Sequence, residues 1–223
     1  MKRSIRSQAV LSVGLLLPGA ASLAAGGHFD VDDATVLDPG RCQYEAWIAR
    51  ASAAQHTGVH LGPACRVGPV ELGLNIDHAR TPAGGSGTLG PQFKFVAGPV
   101  VPKLGAAVVW GLGLDTRSSR TGHTGYAALT WFATDSLQLH ANGGADWPAA
   151  GTRMRRVGAA AEWAVNEQWS MLAERAKLLG AWTSRLGARF NVNEVISVDV
   201  SAARIGPQGS RSHVIGLNHE FGR

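Results

Sequence analysis

The chain has 223 residues, of which 45% are hydrophobic and only 17% charged, with 29 glycines and two cysteines. Its formal charge is +5, but Lys2, Arg3 and Arg6 supply three of the 21 basic residues, which leaves 18 basic against 16 acidic residues in the rest. So balanced a chain, with no basic stripe, excludes a nucleic-acid partner, and after residue 25 no run of 18 apolar residues offers a spanning helix.

The basic start, the apolar run from Ala9 to Leu17 and the small residues around Ser22-Leu23-Ala24 read as a secretory signal peptide over residues 1–24. Residues 25–40 then form an N-terminal segment, expected in the periplasm. Its Asp30, Asp32, Asp33 and Asp38 lack the alternate-position spacing of a calcium loop. They read as a solvated turn ahead of the first strand, and neither a metal nor a cofactor is expected.

From residue 41 to 223 the chain alternates with a period of two. Twelve strands are expected, over 41–51, 57–67, 69–79, 89–97, 103–113, 122–133, 136–145, 153–164, 168–178, 181–191, 194–204 and 212–221. Ten remains an alternative, because Pro63 interrupts the second and "QWSMLAERAKLL" has some helical character. The third strand shows the pattern best: Val70, Leu72, Leu74 and Ile76 share one face, and Glu71, Gly73, Asn75 and Asp77 the other. Further strands repeat it, setting Leu104, Val108 and Trp110 against Gly105, Ala107 and Gly111, and Ile196, Val198 and Val200 against Ser197, Asp199 and Ser201.

Which face points inward decides the fold class. The polar faces carry Glu71, Asn75, Asp77, Lys94, Gln138, His140, Arg156, Glu162, Arg185, Arg189, Asp199 and Glu220, whereas the apolar faces carry hardly any charge. Aromatic residues gather at one set of strand ends, at Tyr44, Phe95, Trp131, Trp163, Trp169, Phe190 and Phe221, as expected of a membrane-interface girdle. Connections read as alternately long ("RTPAGGSGT", "DTRSSRTGH") and short ("ATDS", "NVNE"). Together these favour an all-β, transmembrane, antiparallel up-and-down β-barrel in a bacterial outer membrane, with the polar faces lining the lumen. A soluble sandwich with a solvated polar face is the plainer alternative. The small inner residues Gly105, Ala107, Gly111, Gly158 and Ala160 read as room for a passage.

Cys42 and Cys65 are symmetric about the first hairpin loop and of matching parity, which predicts a cross-strand disulfide in an oxidising compartment. Outward His78 and His219 have no Ser and acidic partner on an adjacent strand, and His140 near Ser136 reads as polar lining, so no enzyme is expected.

The stretch Asp32-Asp33-Ala34 … Leu37-Asp38-Pro39-Gly40-Arg41 … Gln43-Tyr44-Glu45 resembles the mature N-terminus of an outer-membrane barrel family labelled MetA pathway of phenol degradation. Val31 stands where that family usually has Thr, and Cys42 where it often has an aromatic residue. The resemblance implies passage of hydrophobic or aromatic compounds across the outer membrane. The sequence reading is therefore a narrow channel or facilitator for small molecules, its partners being outer-membrane lipid, the barrel assembly machinery and an unidentified solute. A non-conducting structural or adhesion barrel is the alternative, with a lipid-active enzyme third.

Overall fold

The computed structural model of the chain describes residues 27–52 and 56–222, so the expected signal peptide lies outside the described residues. Twelve strands, β1 to β12, run over Arg41–Ala51, His56–Val67, Val70–Thr81, Gly84–Val101, Leu104–Asp115, Thr121–Phe132, Leu137–Trp147, Met154–Ala164, Trp169–Leu178, Ala181–Asn191, Ile196–Ile205 and Ser210–Gly222. Each pairs antiparallel with its sequence neighbours, and β1 pairs with β12 from Arg41↔Gly222 to Ala51↔Ser212, closing the barrel. Closure leaves no free sheet edge. Prolines within the strands sit at gaps or irregularities in the pairing. Pro63 faces Tyr44 on β1 while the β2–β3 ladder skips it, Pro91 faces Leu74 on β3 while the β4–β5 ladder skips it, and register shifts flank Pro99 near the end of β4.

Alternation sets the two surfaces. On β3 the exposed positions are Leu72, Leu74, Ile76 and His78, and the sheltered ones are Gly73, Asn75 and Asp77. The same rule leaves Val108, Trp110, Leu186 and Ile215 outside, with Leu186 70% exposed. "QWSMLAERAKLL" is strand β9, with Ser170, Leu172, Glu174 and Ala176 turned inward. The disulfide joins Cys42 and Cys65, which are direct partners of the β1–β2 ladder with Cα atoms 4.0 Å apart.

Connection lengths correct one expectation. β4 begins at Gly84, so most of "RTPAGGSGT" is strand and only two residues separate β3 from β4. The six connections at that end have 4, 2, 5, 6, 2 and 4 residues, and the five at the opposite end have 2, 2, 4, 4 and 4. The asymmetry is therefore slight. Gly, Pro and Ser in a hairpin's approach read as loop, yet glycines fit a strand wherever another backbone comes close. Gly90 is such a place: a Cβ there would sit 2.0 Å from the Leu112 carbonyl oxygen. Below, the end bearing Arg41 and Gly222 is the terminal end and the other is the loop end.

Candidate functional site in the barrel lumen

The N-terminal segment ahead of the first strand runs inside the barrel over residues 27–37. Val31, Ala34 and Leu37 are buried, as are His28 and Asp33. This placement also corrects the solvated-turn reading of the aspartates: a segment without periodic strand structure needs partners for its backbone groups once buried, and the barrel wall supplies them. The Asp30 and Val31 amides donate to the Glu174 carboxylate at 3.0 and 2.9 Å. Asn142 holds Asp32 from both sides, accepting from its amide and donating to its carbonyl, each at 2.7 Å. The Ala34 amide donates to Thr130 Oγ1 at 2.8 Å and the Leu37 amide to Glu71 Oε2 at 3.0 Å, while Arg66 Nη1 donates to the Leu37 carbonyl at 2.9 Å.

Charges fix the same segment. Lys94 Nζ bridges Asp32 and Asp33 at 3.1 and 3.2 Å. Tyr126 donates its hydroxyl proton to Asp32 at 3.1 Å. Arg185 joins Glu174 at 2.8 Å to Asp30 at 3.2 Å. Burial alone would raise the Asp33 carboxyl, but the Lys94 ammonium and the Thr35 hydrogen bonds together hold it below the usual range. His28 Nε2 shares a hydrogen bond with Ser201 Oγ at 2.7 Å. Burial, reinforced by the Arg185 and Arg189 guanidinium groups against Asp199, lowers the His28 ring from 6.5 to about 4.

Several of the small inner residues face this segment. A Cβ on Gly158 would lie 2.7 Å from Val31 Cγ2, and one on Gly187 would lie 2.8 Å from Phe29 Cζ. The fit is looser at Gly216, where a Cβ would lie 3.3 Å from His28 Nδ1, and at Gly105, where it would make ordinary contact with Ala34 Cβ at 3.5 Å. Gly105 and Gly158, expected to leave room for a passage, are thus occupied by the chain's own N-terminal side chains.

The twelve inward residues named from the sequence fall into two groups. Lys94, His140, Glu162, Arg185, Arg189 and Asp199 are buried in the filled part of the lumen. There Arg189 donates to both oxygens of Asp199 at 2.7 and 3.0 Å, and His140 meets Thr130 at 2.9 Å with Glu162 3.9 Å away. Glu71, Asn75, Asp77, Arg156 and Glu220 line the space that remains, which Lys94 also borders. Gln138 sits on the inner face opposite Glu162. The aromatic residues expected as a girdle are on the outer surface near the terminal end. Phe95, Trp131, Trp163, Trp169 and Phe221 are exposed; Phe190 packs on Trp169 at 4.8 Å and Tyr44 on His219 at 5.1 Å.

The remaining space is a cavity of about 590 Å³ between the N-terminal segment and the β1–β4 wall, extending to Tyr126 and Arg156. Sequence reading did not single out several of its residues: Glu45, Trp47, His60 and Gln92. Trp47 stacks on His60 at 4.9 Å, and His60 Nδ1 lies 2.7 Å from Asp77. Their inward parity was readable beside Gln43, but only the fold shows that this sector is the unfilled one. Eight carboxylates border the cavity against two permanent cations. Both cations are already paired, Lys94 with Asp32 and Asp33 and Arg156 with Asp146.

A closed twelve-stranded barrel with an apolar outside, a charged inside and its own N-terminal segment within the lumen belongs to the porin-like class of folds. The chain belongs to the family described as uncharacterised conserved protein UCP029691, whose model matches residues 12–216. That family, and not the phenol-degradation label, is what the match establishes. No curated protein is significantly similar in sequence. Among solved structures, a KdgM porin is similar with a TM-score of 0.68 at 10% identity, covering 80% of this chain and 99% of its own. A NanC porin follows at 0.63 and 12% identity, covering 79% and 98%. The Acinetobacter baumannii outer membrane protein Omp33 gives 0.53 and 9%, covering 82% and 98%. At such identities the likeness is one of fold.

Proposed function

We propose that the protein is an outer-membrane channel for small hydrophilic solutes, cationic or uncharged, that pass beside the N-terminal segment. The observation that carries this reading is the cavity of about 590 Å³ with its surplus of carboxylates. The outside supports the location. Strands of ten to thirteen residues, β4 apart, extend about 33–43 Å and, tilted about 40°, match an apolar band roughly 25 Å tall. The outward aromatic cluster at the terminal end serves as one interfacial girdle.

Field sign sets the solute class. Asp38, Asp77 and Glu220 border the cavity and concentrate cations there. One KdgM structure is described as a complex with disordered oligogalacturonate. A polyanion of that type would be repelled by this lining, so the proposal does not extend to it. Hydrophobic or aromatic solutes would meet Phe29, Trp47 and Tyr126 as aromatic surfaces, set among mostly polar and acidic side chains.

Single-channel recording of the refolded mature protein in a planar bilayer tests the proposal. Discrete steps with a cation preference are expected, and Asp38→Asn with Asp77→Asn is expected to shift the reversal potential toward anions. Silence from protein that floats with liposomes and shows a heat-dependent gel shift would overturn conduction. It would favour the non-conducting structural barrel, which the filled half of the lumen supports.

A further inference from the structure

The outward strand faces carry cations at one end only. Arg50, Arg80, Arg155, Arg175, Arg204 and Arg211 all lie outside near the loop end, and no carboxylate occupies an outward strand position among the described residues. Three of these arginines share one register row. Arg175 on β9 faces Ser184 on β10, Ser184 faces Arg204 on β11, and Arg204 faces Arg211 on β12. Like charges placed directly opposite on antiparallel strands are about 5 Å apart at Cβ and repel. Neither Arg204 nor Arg211 has an ion pair among the described residues. Arg175 has one neutral partner, donating to Ser184 Oγ at 2.8 Å, and its guanidinium lies 4.9 Å from the centre of the Trp182 ring.

Toward the middle of the barrel this row opens onto a groove. Ala159, Ala161 and Ala173 form its floor, Leu186 one wall, and Arg175, Ser184 and Arg204 its polar head. Three alanines between larger outward neighbours leave an apolar trough, and the head supplies planar donors suited to phosphate oxygens.

We propose that this row and groove bind one phosphorylated membrane lipid, with the headgroup phosphate between Arg175, Arg204 and Arg211 and an acyl chain on the alanine floor. The proposal rests on the membrane location given above. The phosphate removes the Arg204–Arg211 repulsion and gives an anionic partner to guanidinium groups that would otherwise meet the bilayer interface unpaired. Arg175, held by Ser184 and Trp182, is already aimed.

The test is native mass spectrometry of the refolded mature protein in detergent, with phosphatidic acid and phosphatidylcholine of identical chains as probes. The wild type is expected to retain one phosphatidic acid about tenfold or more over phosphatidylcholine. Combined R175A, R204A and R211A is expected to abolish that preference while the heat-dependent gel shift persists. Ala173→Trp, which fills the floor and leaves the arginines, is expected to reduce retention as well. Equal retention of both lipids, or an unchanged preference in the triple variant, overturns the site. Full displacement of phosphatidic acid by millimolar inorganic phosphate would make it a free-anion site and overturn the lipid assignment. Wild type that fails to float with liposomes would overturn the membrane location itself, whereas flotation without a lipid preference overturns this inference alone.

Discussion

Replacing Glu174 by Ala attacks the N-terminal segment at its most connected anchor. The carboxylate accepts the amides of Asp30 and Val31 and ion-pairs with Arg185. Its removal leaves two sheltered N–H groups without an acceptor, and Arg185 with only its 3.2 Å contact to Asp30 as an ion pair. Hydrogen bonds to a charged group contribute about 1.5–3 kcal/mol each, and breaking a buried pair costs about 3–5 kcal/mol. The contributions overlap, so a net loss of about 4 kcal/mol is expected, a shift of roughly a thousandfold in the docked-to-undocked ratio. Hydrogen exchange reads it directly. Amides of residues 30–34 are expected to lose protection by about that factor, while β6 and β7 amides keep theirs. Glu174→Gln, which retains an acceptor oxygen, is expected to lose less. Unchanged protection at residues 30–34 in the Ala variant would refute the docking role of Glu174, and equal loss throughout the barrel would show that it supports the wall instead.

Acidification is expected to loosen the same segment. His28 is held neutral by burial, with its folded value near 4 against 6.5 when free, so the docked state is fully favoured above about pH 6.5. That advantage is lost as pH falls toward 4, to a total of roughly 3 kcal/mol, and exchange at residues 28–34 measured between pH 7 and 4 checks the sign. Gly158→Val puts a side chain where Val31 sits and is expected to expel the segment without unfolding the barrel; limited proteolysis near Val31 reports this, and a resistant variant would count against the fit. Peptide mapping without reductant is expected to recover Cys42 linked to Cys65, and Cys42→Ser with Cys65→Ser to lower stability by about 2–4 kcal/mol in urea titrations of the refolded protein.

The wall of the barrel was legible because each strand carries its own information. A period of two tells Leu72 from Gly73 within β3 without reference to any other strand, and the Cys42–Cys65 symmetry needed only one hairpin. β9 was harder to read, since Glu174 and Arg175 adjoin and the charge on both faces blurs the period. The filling of the lumen was not legible, because its contacts are long-range. Asp30 meets Arg185 and Asp32 meets Asn142, over separations of 155 and 110 residues. Two signals were nevertheless present: Val31, Ala34 and Leu37 recur every third residue among the aspartates, and glycines recur on the inner faces of β5, β8, β10 and β12. Sequence reading treated Gly105, Gly111 and Gly158 among them as room for a passage. Arg185 and Asp199, which look like pore-lining charges in sequence, are instead committed to the buried network.

The disulfide lies beside the seam at which the barrel closes. β1 is both the strand clipped to β2 and the strand that meets β12. The two sides of the seam therefore differ mechanically at the terminal end. On one side β1 is welded to its neighbour, while on the other β12 is held to β11 by hydrogen bonds alone. An opening at the β1–β12 seam therefore leaves β1 covalently tied to β2 while β12 has no such tie to its other neighbour.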